Sequence, residues 1–168
     1  MPLNFLCPLH RDWVYFHPEE ALSHLENAQQ KGEWLLKKQQ WKEAVPFIGC
    51  ALESVEILLQ LQEASQVFLA NRLTSLSLAL AECFQYLGVA HYVDEVLNEA
   101  TDTLHQLNDE LNQNQLQDAN LKLGILTLQE KRQQWRDSSL KPQAVKVSKN
   151  TQIKHMAHSI LLTQSHSS

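Results

Sequence analysis

Apolar positions recur along this chain at spacings of three and four, in five stretches separated by short polar breaks. That period places side chains on one face of an α-helix. The first stretch opens at Pro18, followed by Glu19 and Glu20. Proline fits the first helical position, and acids suit the positive end of the helix dipole. This helix is expected to run to about Lys38. The second carries Ala44, Ile48, Ala51, Val55 and Leu59. The third carries Leu69, Leu73, Leu76, Leu80, Phe84 and Leu87 and meets Gly88, a residue suited to a C-terminal cap. The fourth carries Val93, Leu97, Ala100, Leu104, Leu107 and Leu111 and stops at the polar run Asn112-Gln113-Asn114-Gln115. The fifth carries Leu116, Ala119, Leu123 and Leu126 and fades near Trp135. Within it, Leu121, Leu123 and Ile125 also alternate as a strand would. Helix is preferred there, because every earlier element is helical.

The two ends break this pattern. Residues 1–17 hold Phe5, Trp13, Tyr15, Phe16 and two prolines without a helical period. They are expected to form an extended segment covering the open end of the first hairpin; a groove-binding arm is the alternative. From Ser138 the chain turns polar, rich in Ser and Lys, with Pro142. Such a composition supports little apolar burial, and disorder is expected over most of residues 138–168. One exception follows Thr151. Ile153, Met156, Ile160 and Leu161 have helical spacing, so a short amphipathic helix over 151–163 is expected to form on docking. The division is thus an N-terminal segment (1–17), a helical repeat domain (18–137) and a basic tail (138–168).

The window Leu25–Leu58 carries small residues among large ones: Gly32, Leu35, Trp41, Ala44, Ile48 and Ala51. Small residues at those offsets let two helices close tightly. This window resembles a tetratricopeptide repeat, a helix–turn–helix unit. Gly32 falls on the glycine of the first helix, Leu35 on the large apolar position after it, and Trp41 on the aromatic at the turn. Ala44, Ile48 and Ala51 take the alanine, large apolar and alanine positions of the second helix. Three positions depart from the pattern: Ala28 stands for the early tryptophan, Gln39 for the turn glycine and Glu56 for the closing proline. A weaker copy spans Thr74–Leu107, where Ala81, Phe84, Gly88, Leu97 and Ala100 fit and Val93 replaces an alanine. The copies are offset by 49 residues, so the intervening helices are longer than the family's. The resemblance implies antiparallel helical hairpins stacked as a short superhelix; a generic bundle of α-hairpins is the alternative. It also implies a concave groove lined by the first helix of each repeat. The positions that match are Glu26, Gln29, Glu33, Leu36 and Lys37, then Ser75, Leu78, Glu82, Gln85 and Tyr86. For Leu36 and Leu78 the plainer reading is core packing.

Composition agrees with an all-α class. A chain of 168 residues can bury a core as one domain. Only 4 Gly and 5 Pro argue against a turn-rich β fold. No uninterrupted apolar run reaches the roughly 18 residues of a membrane helix, and no leader is expected from the opening residues. Cys7, Cys50 and Cys83 make an odd number, two of them in helical patterns, which fits buried thiols in a cytoplasmic setting.

Charge is strongly segregated. Residues 43–118 carry twelve acids against Arg72 alone, a net of −11, while residues 119–168 carry eight bases against two acids, a net of +6. An acidic body repels nucleic acid and attracts basic or amphipathic peptides, although a solvated acidic surface is the simpler account. The same asymmetry suggests that residues 150–164 dock on the body, in the same molecule or across a dimer.

Candidate chemistry is sparse. Cys7, His10 and His17 lack a fourth ligand at zinc spacing, and His155 with His158 has no acidic neighbour. Asp94, Glu95 and Glu99 share a helix but not an enclosed pocket. No phosphate-binding glycine loop or nucleophile–base set stands out, and the basic tail lacks the aromatics of a single-strand binder. The expectation is a non-catalytic interaction module, adaptor or chaperone-like, without cofactor or metal, that holds another protein's peptide or helix; a homodimer stays open. The alternative is a structural or regulatory subunit docking through Leu-rich outer helices.

Overall fold

A computed structural model describes residues 3–61, 65–113 and 119–140. Among them, six α-helices follow one another without a strand: α1 (Pro8–Phe16), α2 (Pro18–Lys37), α3 (Trp41–Leu61), α4 (Gln66–Tyr86), α5 (Ala90–Gln113) and α6 (Ala119–Leu140). Each of α2 to α6 packs on its neighbour in sequence. In addition, α4 packs on α6, and α1 lies over α2 and α3. The protein is all-α, and its core runs continuously from Phe5 to Leu128.

Two short turns shape the stack. After α2, the Gln40 N–H donates to the Leu35 carbonyl and the Gln39 N–H to that of Leu36. After α4, Val89 N–H donates to the Phe84 carbonyl and Gly88 N–H to that of Gln85. Both are the paired bonds of a Schellman cap, which needs a left-handed residue at its apex. Gly88 supplies it at φ 72°, and Gln39 takes it at φ 56°. The two apices stand 49 residues apart, as do the repeats read from the sequence. A side chain at positive φ is strained where glycine is not. Gln39→Gly is therefore expected to stabilise the protein by roughly 1 kcal/mol, seen as a higher midpoint in urea. A lower midpoint would contradict the strain.

The first hairpin closes on small residues. Ala44, Ile48 and Ala51 are fully buried. A Cβ added to Gly32 would stand 2.7 Å from Ile48 Cγ1 and 3.3 Å from its backbone nitrogen. Gly32 thus admits Ile48, with Ala44 and Ala51 one turn to either side. Ala44→Leu should overpack this contact and cost about 1–3 kcal/mol in thermal or chemical unfolding. An unchanged stability would remove the contact from the account.

The structure corrects the sequence reading at two places. Residues 8–16, expected to be extended, form α1. Its period was hidden because the helix buries a single side chain, Val14, while Leu9, Tyr15 and Phe16 face solvent. The face of the last helix also differs. Leu123 and Leu126 are exposed, whereas Leu121, Ile125 and Leu128 are buried. A helix apolar on two sides does not choose between them by pattern alone. Gly124 decides: a Cβ there would stand 2.9 Å from Thr74 Oγ1 and 3.3 Å from Leu104 Cδ1, so only the glycine side can approach α4 and α5 this closely.

Two helices, α3 and α4, are long and apolar enough to cross a membrane by length and composition. Here they are the central helices of the core, with 67% and 50% of their apolar windows buried. The expected helix over 151–163, its docking, and the rest of the tail beyond Leu140 lie outside the described residues.

Candidate functional site

On one side of the stack, α4 and α6 touch where Thr74 meets Gly124. Both pack antiparallel to α5, so they run in the same direction, and past this contact they enclose an open cleft of about 760 Å³. One wall belongs to α4: Ser75, Leu78, Ala79, Glu82, Gln85 and Tyr86. Residues at these spacings share a helical face. The other wall belongs to α6: Thr127, Lys131 and Trp135, four residues apart in turn. The cleft therefore holds an apolar floor at Leu78 and Ala79, one acid, one base and two aromatic rings.

The aromatic groups are held in place. The Tyr86 ring stacks on Trp41 at 4.0 Å with 6° between planes, although Tyr86 is otherwise exposed. Lys131 Nζ lies 5.2 Å above the Trp135 ring, a cation–π contact that keeps the ammonium at the rim. On the far side of α6, Arg132 and Arg136 both reach Asp94 of α5, at 3.4 and 2.8 Å, and Arg132 also donates to the Asn98 side chain. These contacts fix the roll of α6 and so the aim of Lys131 and Trp135.

All five groove positions expected on the second repeat line this cleft. The five expected on the first do not. Glu26 and Gln29 accept from Arg72 of α4, at 2.8 and 3.1 Å, and Gln29 donates to Glu33 at 2.8 Å. This polar chain joins α2 to α4. Leu36 packs partly against the core, and Lys37 is exposed. The sequence reading missed Thr127, Lys131 and Trp135 as lining residues, and it did not foresee that Trp41 stacks on Tyr86. The spacing of the first three on one helix was a readable signal, but Lys131 and Trp135 stand where the apolar period fades.

A second groove lies on the other side, between α3 and α5. It has about 430 Å³ and is lined by Glu56, Glu99, Glu110, Gln60, Gln66, Gln106, Thr103 and the apolar Leu59 and Leu107. Burial, with Glu99 and Glu53 nearby, pushes the Glu56 carboxyl up to about 7, against the pull of Arg11. Burial and the neighbouring Glu95 and Glu53 raise Glu99 as well. Two of the carboxyls counted as a solvated face are thus partly withdrawn from water.

The thiols are free. Burial pushes Cys83 up to about 12 and Cys50 up to about 11, each helped by a nearby carboxylate. Cys83 is fully buried, whereas Cys50 is only partly so and points its thiol at the Phe5 carbonyl, 3.4 Å away. Cys7 Sγ lies 3.1 Å from His10 Nδ1, and among the described residues no group of three or more metal-ligating side chains gathers.

Compared with known proteins, the chain matches no family model, no curated protein and no solved structure.

Proposed function

We propose that this chain is a non-catalytic protein-interaction module of the tetratricopeptide-repeat kind, which seats a peptide or helix of another protein in the α4–α6 cleft. The observation that supports this most is the cleft itself. An open trough of about 760 Å³ with an apolar floor, aromatic side chains and one charge of each sign suits a short side-chain-bearing segment. Aromatic residues in such positions commonly dominate binding energy. The Tyr86 ring is already stacked, so ordering it on binding costs little conformational entropy.

The partner is an amphipathic segment with an apolar anchor over Leu78 and Ala79 and a basic group directed at Glu82. A displayed library of short peptides, selected on the immobilised full chain, tests the reading. Peptides so selected should lose at least tenfold in affinity with Trp135→Ala and with Leu78→Ala, while Lys37→Ala on α2 leaves them unchanged. Selected peptides that bind both cleft variants as tightly as the parent would overturn it.

A further inference from the structure

Among the described residues, the outer face of α6 exposes apolar side chains that no helix covers. Both α2 and α4 are followed by a helix that packs back on them; after α6 the described residues end at Leu140. Ala119, Leu123, Leu126, Glu130, Gln133 and Asp137 follow one another at spacings of four and three along α6. Such spacing forms a single stripe. It lies opposite the buried stripe of Leu121, Ile125 and Leu128, and its two leucines are 62% and 54% exposed. The stripe is apolar at its start and acidic towards its end.

We infer that residues 151–163 of this same chain cover that stripe, lying antiparallel to α6 as the second helix of a third hairpin. Four observations select this occupant. Its apolar residues, Ile153, Met156, Ile160 and Leu161, fall on one helical face, as a helix packed on a single neighbour requires. Its thirteen residues would span about 20 Å as a helix, against about 33 Å for α6. The ten residues from Lys141 to Asn150 reach at least ~30 Å when extended. That is ample for a return from Leu140 that sets Leu161 level with Leu123. The same register brings Lys154 level with Glu130. Charge agrees more broadly: residues 141–168 carry four lysines and no acid, and they face a stripe whose charged members are Glu130 and Asp137.

A second copy of the protein is a poorer fit. Two leucines on one helix offer far less than the ~800 Å² per partner that a standard interface buries, but they match the contact made by a short helix. Tethering also favours the tail, since the linker holds it at high local concentration. The inference concerns a different surface from the α4–α6 cleft, so it stands or falls independently of the proposed function.

Amide hydrogen exchange on the full chain tests it. Amides at 153–161 should exchange at least tenfold more slowly than an unstructured chain, equally at two protein concentrations tenfold apart. Leu126→Lys, at an exposed position, should abolish that protection while leaving the exchange of α3 and α4 unchanged. Ile160→Asp should do the same from the other side of the contact. Unstructured rates at 153–161 in the parent protein would overturn the inference. So would protection that survives both Leu123→Lys and Leu126→Lys, which would put the tail elsewhere. Protection that grows with protein concentration would also overturn it, assigning the stripe to a second copy.

Discussion

Glu53→Ala is expected to destabilise the protein by about 2–4 kcal/mol and to release its N-terminal segment. Glu53 is 4% exposed, on the face of α3 beneath residues 3–16. Its Oε2 accepts the backbone N–H of Phe5 at 2.6 Å and of Leu6 at 2.8 Å. Its Oε1 faces Arg11 Nε at 3.1 Å. One carboxylate therefore serves both the non-helical lead and the first turn of α1. Next to it, the Phe5 ring fills the space above Gly49 that a side chain would occupy. Removing the carboxylate leaves two N–H groups without an acceptor and a guanidinium without its anion. An unsatisfied buried donor costs about 1–3 kcal/mol, and Phe5 is held in place by little else that is polar. The measurement is chemical unfolding together with amide exchange at Phe5 and Leu6. A midpoint within error of the parent, with Phe5 and Leu6 still protected, would refute the role given to Glu53.

Stability should also fall as pH rises from about 4.5 to about 7, and Glu56→Gln should remove most of that fall. Glu56 sits in the α3–α5 groove, with Glu53 on its own helix, Glu99 and Glu110 across the groove and Arg11 on α1. Burial, then Glu99 and Glu53, raise its folded pKa to about 7 from 4.5. A raised carboxyl pKa means that the folded state keeps a proton which the unfolded chain has lost. The group costs nothing below about 4.5, where both states are protonated. Its penalty grows through the interval and is complete above about 7, at about 2–3 kcal/mol. Glu99 shifts in the same direction and adds to the slope. Glutamine keeps the shape and stays neutral, so the variant should be the more stable at pH 8 and nearly equal to the parent at pH 4. Parallel profiles of melting temperature for the two proteins between pH 4.5 and 7 would sink this account.

The two predictions mark where reading the sequence stops. Glu53 and Glu56 stand in a run of acids that looks like a solvated face, and nothing in their spacing separates them from Glu43 or Glu82. Burial of an acid depends on what lies over it: for Glu53 a segment some 40 residues earlier in the chain, for Glu56 the α5 wall some 40 residues later. Pattern along the chain carries no information about such a distant cover.

Local signals were enough for the helices from α2 onward, because their periods are long and each buries a broad stripe. The hairpin turn at Gly88 and the small residues Gly32, Ala44 and Ala51 were equally legible: close helix contact and positive φ restrict residue type strongly. Gln39 is the exception, a strained residue where the pattern asked for glycine. Helix α1 was not legible, since burying Val14 alone leaves no period to detect. On the binding side, the α4 wall of the cleft followed from one helix's spacing. The α6 wall did not, because Lys131 and Trp135 become neighbours of Tyr86 only once the roll of α6 is set. Sequence by itself determined that the segments from α2 onward are helical, where they reverse and how charge is divided along the chain. Tertiary structure alone decided which side of α6 is buried, which acids leave water and which helices form a cleft. Those outcomes depend on contacts between residues far apart in the chain, and Gly124 against Thr74 is the one on which the α6 face turns.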